Sequence, residues 1–303
     1  MSALSWTEAA VVGAMQGVAE LFPVSSLGHS VLLPALIGGS WAKDLDVGKA
    51  ESPYLAFIVG LHVATALALI LYFRRDWVRI VRGLGSSIVK RKVETPDERL
   101  AWMLILATIP VGLTGLLFEH TIRTVLAKPM PTAAFLCANG LLLLLVEQRR
   151  RTAGADVTVS EVPLDERETG IEVDRRLAAL PVTRAVAIGA TQIAALAPGI
   201  SRSGAALAGG LQAGLDHEEA VRFSFLLATP VILAAGVLKL PDLTGPLGNG
   251  IRGQVLLGSA LSGIGAYLSV AVLVRWFRGR SARAFGVYCL VAGAVSLAVL
   301  AAR

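Results

Sequence analysis

Residues 9–37 read AAVVGAMQGVAELFPVSSLGHSVLLPALI, and this stretch decides the fold that we predict. An uncharged run, 9–19, ends at Glu20 and at the break Phe22-Pro23-Val24-Ser25-Ser26, after which residues 27–37 are apolar again. Runs of 10–14 residues are too short to cross a bilayer. Two such runs around a Pro/Ser break predict a re-entrant helical hairpin, because irregular backbone at membrane depth must be buried by protein or reached by water.

The same pattern returns later in the chain. Residues 185–197 are interrupted at Pro198-Gly199-Ile200-Ser201-Arg202-Ser203 and continue as the uncharged run 204–215. The two regions align at an offset of 176 residues, with Pro23 and Pro198 within one residue of register. The matching pairs are Gly13/Gly189, Ala14/Ala190, Gln16/Gln192, Ala19/Ala195, Ser25/Ser201 and Gly28/Gly204. This alignment predicts an internal repeat.

Composition places the remaining chain in a membrane. Hydrophobic types make up 54% of the 303 residues, charged types only 17%, and the mean hydropathy is +0.66. Soluble domains carry about 25% charged residues. These values exclude a disordered chain, a nucleic-acid-binding domain and an ordinary cytosolic enzyme. Uncharged runs of 16–22 residues predict six membrane-spanning helices, at 55–73, 100–118, 131–146, 223–238, 253–274 and 284–302.

The predicted fold is therefore an all-α polytopic membrane protein with six transmembrane helices, two re-entrant hairpins and an inverted-topology repeat. A single domain, 1–303, comprises a first repeat (1–147), a cytoplasmic linker (148–182) and a second repeat (183–303). Three spans follow each hairpin, so the second copy must enter the membrane upside down. In this arrangement 20 of the 28 Lys and Arg residues fall on one side, which the positive-inside rule makes cytoplasmic. Both termini then lie outside, and we expect no cleaved signal peptide.

The first hairpin carries the first candidate site residues. Gln16 and Glu20 are four apart and share a helix face. A carboxylate inside the membrane is costly and is a functional candidate by default, although a Glu solvated at the interface is the alternative. His29 follows Ser26 by three residues on one face of the next half-helix. We expect His29 to accept a proton from Ser26 or from water.

The second hairpin carries the complementary charge. Arg202 lies between Ser201 and Ser203 where a half-helix begins, and helix N-termini favour anions. A guanidinium there predicts a phosphate receptor, although Arg202 paired with Glu20 is equally compatible with the sequence. Together the two hairpins suit a phosphorylated substrate with Mg²⁺, held by the Glu20 carboxylate with the Gln16 carbonyl as a further ligand.

The other histidines are less informative. His62 lies in the middle of the run 55–73, and the sequence leaves it open between a structural and a functional role. His120 and His217 flank predicted spans, and we expect both to be solvated.

These motifs resemble the undecaprenyl-diphosphate phosphatase family, also called bacitracin-resistance proteins. That family carries [EQ]-x-x-x-E, then P-V-S-S-x-G-H, and later P-G-x-S-R-S-x-x-T. Here the motifs stand as Gln16-Gly17-Val18-Ala19-Glu20, Pro23-Val24-Ser25-Ser26-Leu27-Gly28-His29 and Pro198-Gly199-Ile200-Ser201-Arg202-Ser203. The likeness extends over the whole chain in length, hairpin placement and span order.

The resemblance implies hydrolysis of undecaprenyl diphosphate to undecaprenyl phosphate and inorganic phosphate, with Mg²⁺ or Ca²⁺. It implies a multi-pass protein of the bacterial inner (plasma) membrane that recycles the cell-wall lipid carrier and confers bacitracin resistance. It makes Ser26 and His29 the nucleophile and base, with Glu20 and Gln16 at the metal. The residues that would bind the diphosphate are Ser25, Gly199, Ser201, Arg202 and Ser203. Two departures are Gln16, where a Glu is frequent, and Ala206, where the last Thr is expected.

A transporter or flippase of a phosphorylated lipid or another anion is the alternative, because inverted repeats with broken helices are transporter architecture. The cluster of Glu20, Ser26 and His29 favours the enzyme, since translocation alone does not need it. An enzyme of the acid-phosphatase-like lipid phosphatase class is disfavoured because the K-x₆-R-P run is absent. The predicted partners are a polyprenyl diphosphate and membrane lipid, without nucleic acid, and a homo-oligomer is left open.

Overall fold

A computed structural model describes residues 4–46, 53–121, 125–152, 166–245 and 249–303, and within these ranges every regular element is a helix. The helices are α1 (Trp6–Ala19), α2 (Ser26–Ile37), α3 (Gly39–Asp44), α4 (Pro53–Tyr72), α5 (Arg74–Lys90), α6 (Pro96–Thr121), α7 (Pro129–Thr152), α8 (Glu166–Ala179), α9 (Val182–Thr191), α10 (Arg202–Gln212), α11 (His217–Thr244), α12 (Arg252–Trp276) and α13 (Arg283–Ala301). A 3₁₀ segment, Gln192–Leu196, continues α9.

The long helices agree with the six uncharged runs of the sequence, which lie within or almost within α4, α6, α7, α11, α12 and α13. Five of the described helices are long and apolar enough to cross a membrane, and the number reaches seven if two bent pairs each count as one span. One bent pair joins Ala56–Tyr72 to Arg74–Lys90 at 89°, and the other joins Gly170–Ala179 to Val182–Leu196 at 105°. The described part of the chain is thus all-helical, with five to seven candidate membrane spans.

Each of the two predicted broken regions contains two short helices, α1 and α2 in the first region and α9 and α10 in the second. Ser25 and Ser201 cap α2 and α10, and each hydroxyl accepts a hydrogen bond from the amide three residues on, Gly28 at 3.2 Å and Gly204 at 3.1 Å. Such caps satisfy one of the four free amides at a helix start. The first residues of α1 and α9 lie 176 positions apart, as do those of α2 and α10.

The packing of the long helices follows the same correspondence. α1 packs on α12 as α9 packs on α6, while α4 packs on α11 and α7 on α13. Gly13 of α1 and Gly189 of α9, which match in the alignment, each lie directly against the backbone of the facing helix. A Cβ on Gly13 would lie 2.5 Å from the Gly258 carbonyl oxygen, and one on Gly189 would overlap the Ala107 carbonyl. Only glycine allows such close approach.

Two stretches in which the sequence predicted neither a membrane span nor a hairpin are helical. α5, in a stretch rich in Lys and Arg, buries only Ile80, Gly83 and Ser87; its charged side chains are exposed except those of Asp76 and Arg79, which are partly buried in ion pairs. α8 lies in the linker, where Asp174 is buried and bonds to arginines of α5 and α11. Hydrophobic run length does not detect helices of this kind. Linker residues 153–165 lie outside the described part of the chain.

The expectation that His217 is solvated is wrong. Its side chain is buried, and Nε2 lies 2.8 Å from Oε1 of Glu147, which also accepts the Ala282 amide at 2.7 Å. A buried carboxylate needs such partners, so His217 serves to tie α11 to α7 and to the start of α13. The side chain of His120 lies outside the described residues.

Candidate active site

The two helix breaks meet inside the protein. The Gly199 amide donates to Ser25 Oγ at 3.2 Å, so the hydroxyl that caps α2 also binds the second break. Gly28 is so close to Gly199 that a Cβ on Gly28 would lie 2.9 Å from the Gly199 Cα. Ser25 itself has φ of 68°, a conformation rare for residues other than glycine. Such strain persists only where surrounding contacts enforce it, as the bond to Gly199 does here.

Asn139 of α7 holds the two breaks together. Its amide Nδ2 donates to the Pro23 carbonyl at 3.0 Å, and its Oδ1 accepts the Ser201 amide at 3.0 Å. Asn139 is fully buried, and both bonds satisfy backbone groups that the helices leave free. Asn139 is not among the residues predicted from the sequence, although a lone amide within the uncharged run 131–146 was an available signal.

Glu20 and Arg202 form an ion pair at the point where the breaks meet. Glu20 follows the last turn of α1 and Arg202 is the first residue of α10, so each helix end directs its charged side chain at the other. The guanidinium Nη2 donates to Glu20 Oε1. The prediction that Glu20 and Arg202 lie close together is therefore confirmed. Arg202 is 17% exposed, and its other guanidinium nitrogens have no hydrogen-bond partner among the described residues.

The second carboxylate oxygen of Glu20 accepts hydrogen bonds from two further polar side chains. Oε2 accepts hydrogen bonds from Gln16 Nε2 at 2.9 Å and from Ser26 Oγ. Ser26 and Arg202 are the first residues of α2 and α10, so the N-termini of both helices meet at one carboxylate. Their positive dipole ends and free amides make this a site for an anion.

His62 belongs to the same cluster. Its Nε2 lies 3.4 Å from Glu20 Oε2 and 3.3 Å from Gln16 Nε2. Nδ1 lies 2.8 Å from the Ile58 carbonyl, and because a carbonyl only accepts, Nδ1 carries a hydrogen and Nε2 faces the site. The sequence left His62 undecided, because position along α4 does not show which neighbouring helix an imidazole faces.

His29 does not contact Ser26. Its Nδ1 donates to the Ser25 carbonyl over 2.8 Å, and its Nε2 accepts from the Tyr288 hydroxyl at 2.7 Å. The Tyr288 ring also stacks on the imidazole, with centroids 5.8 Å apart. The structure thus pairs Ser26 with Glu20 and leaves His29 as a support of the strained Ser25 turn, beside the cluster.

Ser201 and Ser203 line the second break. Their hydroxyl oxygens lie 3.0 Å apart, and Ser203 Oγ also donates to the Phe22 carbonyl at 3.2 Å. Both residues are buried. The hydroxyl of Ser203 therefore helps to fix the two breaks against each other.

The oxygen and nitrogen atoms of Glu20, Gln16 and His62 are candidate ligands for a divalent cation. Gln16 Oε1 is buried without a hydrogen-bond partner, and such an orphaned oxygen is suited to a cation. The described residues contain no group of three or more His, Cys, Asp or Glu side chains that could hold an ion. One carboxylate, one amide oxygen and one imidazole fit a cation that also binds oxygens of a phosphorylated substrate.

Comparison with known proteins identifies the family of the chain. Residues 9–295 match the family described as bacitracin resistance protein BacA. The undecaprenyl-diphosphatases of Mycolicibacterium paratuberculosis (strain ATCC BAA-968 / K-10) and Mycobacterium avium (strain 104) are each 59% identical over 301 residues, which cover 99% of both chains. Undecaprenyl-diphosphatase 1 of Frankia casuarinae is 50% identical and covers 97% of this chain and 98% of its own.

Proposed function

The chain belongs to the bacitracin resistance protein BacA family, and on this premise we propose that it is an undecaprenyl-diphosphatase whose active site is the cluster around Glu20 and Arg202. The enzyme hydrolyses undecaprenyl diphosphate to undecaprenyl phosphate and inorganic phosphate, which recycles the lipid carrier and confers bacitracin resistance. The observation that supports this site most directly is the contact between Glu20 and Arg202 across 182 positions of sequence. A carboxylate, a guanidinium and two helix N-termini meet there, as transfer of a phosphoryl group requires.

Substrate binding uses the positive groups of the cluster. The guanidinium N–H groups of Arg202 that do not bond to Glu20 bind the terminal phosphate, together with first-turn amides of α2 and α10. Gly199 keeps the second break close to Ser25, and Ser201 and Ser203 fix the start of α10. In the transition state, charge develops on the equatorial phosphoryl oxygens, and Arg202 stabilises it.

Ser26 is the nucleophile that the geometry favours. Its hydroxyl already donates to Glu20 Oε2, so Glu20 accepts the proton as Ser26 Oγ attacks the terminal phosphorus. The bond between that phosphorus and the bridging oxygen breaks, and undecaprenyl phosphate leaves with the bridging oxygen. Water then hydrolyses the phosphoserine and releases inorganic phosphate. We assign proton acceptance to Glu20 rather than to His29, which the sequence proposed, because His29 bonds to Ser25 and Tyr288.

A divalent cation, Mg²⁺ or Ca²⁺, would be held by Glu20 and Gln16, with His62 as the adjacent nitrogen ligand. When bound, such a cation neutralises charge on the diphosphate. The negative charge of Glu20 and the positive charge of Arg202 cancel. Gln16 is uncharged, whereas many family members have a carboxylate at this position. We therefore expect the cation to bind tightly only together with the diphosphate.

The proposed function is tested with full-length protein in detergent, where no sealed compartment exists and translocation cannot be observed. Farnesyl or undecaprenyl diphosphate should release inorganic phosphate, and EDTA should abolish the release until excess Mg²⁺ is added. A transporter of a phosphorylated lipid, which the repeated architecture also suits, would bind the same substrate and release none. Well-folded protein that releases no phosphate with Mg²⁺ or Ca²⁺ would refute the enzyme.

The nucleophile is tested with Ser26→Ala. If Ser26 attacks, this variant should lose activity by about 10³-fold or more, because no covalent intermediate can form. If Glu20 instead directs a water molecule, the variant should keep a substantial fraction of the activity, and transfer of ¹⁸O to phosphate should be unchanged. Ser30→Ala is the matched control, since Ser30 is a buried serine of the same helix whose hydroxyl has no hydrogen-bond partner.

We further propose six transmembrane helices and two re-entrant hairpins that enter from opposite sides as inverted repeats, in the bacterial plasma membrane. The common offset of 176 residues and the reciprocal packing of α1 on α12 and α9 on α6 support the repeat. The Lys/Arg distribution supports a cytoplasmic location for α5 and α8 and an outside location for both termini.

A further inference from the structure

A cavity of about 850 Å³ opens where α4 bends into α5. Its walls come from α4, α5, α8, α11 and α12, and none of its lining residues belongs to the Glu20 cluster. Tyr72 at its rim follows His62 by ten residues on α4, which is roughly 15 Å along a helix. The cavity is therefore separate from the active site and lies toward the side rich in Lys and Arg.

Buried ion pairs give this cavity a fixed wall. Asp174 of α8 accepts hydrogen bonds from Arg222 of α11 at 2.7 Å and from Arg79 of α5 at 2.5 Å. Arg79 also bonds to Asp97 at 2.9 Å, and Arg278 bonds to Glu218 at 3.2 Å. These arginines are neutralised by their partners, so they shape the cavity and hold the linker helix α8 in its wall.

Three further arginines of the lining have no such partner. Arg74, Arg75 and Arg82 of α5 are exposed and make no ion pair with any described residue, and Arg74 Nη1 donates to the Leu71 carbonyl at 3.3 Å. Apart from that bond, their guanidinium N–H groups make no hydrogen bond to the described residues, and all three side chains line the cavity. Guanidinium forks bind phosphate oxygens in pairs.

Apart from Asp76, which pairs with Arg79 and Arg222, the remaining lining is apolar or aromatic. Tyr72, Phe73, Val78, Ile171, Tyr267 and Val274 face the same space. A soluble anion would use the arginines and leave these side chains unoccupied. A ligand that carries a phosphate next to hydrocarbon would use both parts of the cavity.

We propose that this cavity binds the phosphate group of an anionic membrane phospholipid, with Arg74, Arg75 and Arg82 on the phosphate and the apolar wall along the first acyl carbons. The inference requires the membrane orientation proposed above but not the diphosphatase activity. Basic segments next to the cytoplasmic leaflet attract its anionic lipids. The bound lipid would fix α5 and α8 against the ends of α4 and α12.

The test compares two triple variants of the full-length protein, each with three fewer positive charges. Arg74→Gln/Arg75→Gln/Arg82→Gln, the rim variant, removes the three arginines of the cavity that have no ion-pair partner among the described residues. Arg149→Gln/Arg151→Gln/Arg184→Gln is the control, because these arginines are exposed on the same charged side and do not line the cavity. Native mass spectrometry in detergent measures retention of phosphatidylglycerol, with phosphatidylcholine as the neutral lipid and inorganic phosphate as the soluble anion.

The wild type and the control should retain phosphatidylglycerol in preference to phosphatidylcholine, and the rim variant should bind it at least about tenfold more weakly. Equal losses in both variants would show general surface attraction and overturn the proposal, as would unchanged retention in the rim variant. Binding of inorganic phosphate without lipid retention would overturn the lipid assignment. Phosphate release from farnesyl diphosphate, measured on the same samples, should be unchanged, so failure of this inference is distinguishable from failure of the enzyme assignment.

Discussion

Replacement of Arg202 by alanine is expected to lower kcat/KM for farnesyl diphosphate by about 10²- to 10³-fold. The guanidinium donates a hydrogen bond from the start of α10 to the Glu20 carboxylate, and in the proposed mechanism it lies where phosphoryl charge develops. Removing one preorganised donor of this kind costs about 3–4 kcal/mol of barrier. Phosphate release at saturating Mg²⁺ measures the effect.

Arg202→Lys tests whether the positive charge alone is sufficient or the planar guanidinium geometry is also needed. A lysine ammonium keeps the charge but not the fork of donors, so Arg202→Lys should recover only part of the lost rate. Glu20→Gln should be similarly inactive, and the double variant should be little worse than either single variant, because residues that act as a unit are strongly non-additive. Arg202→Ala with more than about a tenth of wild-type activity, in protein that elutes as a single folded species, would remove Arg202 from the mechanism.

The contact between Glu20 and Arg202 was predictable because two independent signals converged on it. A charged residue inside an uncharged region has few tolerable environments, and a repeat implies that the two breaks occupy equivalent places. His62 and Asn139 lacked the second signal. Each is a single polar residue within a long span, and sequence spacing along one helix does not show which other helix it faces. Their roles depend on α4 and α7 lying beside the breaks.

The charged elements were missed for a different reason. α5 and α8 have few apolar residues, so a search for uncharged runs assigns both to loops. In the structure α5 is a helix bent sharply from α4, and Asp174 of α8 provides the buried partner for Arg79 and Arg222. This pairing joins residues 48 or more positions apart, and nothing local in the sequence identifies it.

Replacement of Gly199 by alanine should separate the two hairpins and abolish activity without touching a charged residue. Gly199 has φ of 109°, which L side chains rarely adopt, and its amide donates to Ser25 Oγ. A Cβ there would overlap the Thr132 carbonyl and lie 2.8 Å from the Leu136 amide nitrogen, so α7 would have to move. Backbone strain and overpacking each cost about 1–3 kcal/mol. We expect a lower Tm and at least about 10²-fold less phosphate release.

Gly112→Ala is the matched control, because Gly112 lies within α6 and a Cβ there would meet no atom within 4 Å. Alanine at this position should leave activity unchanged and, if anything, raise stability by about 0.5–1 kcal/mol through helix propensity. The comparison is informative because the two variants differ only in where one methyl group is placed. If Gly199→Ala and Gly112→Ala have the same Tm and the same rate, close contact between the two breaks is not required for catalysis. The active site would then have to be assembled by other residues than those that join Ser25 to Gly199.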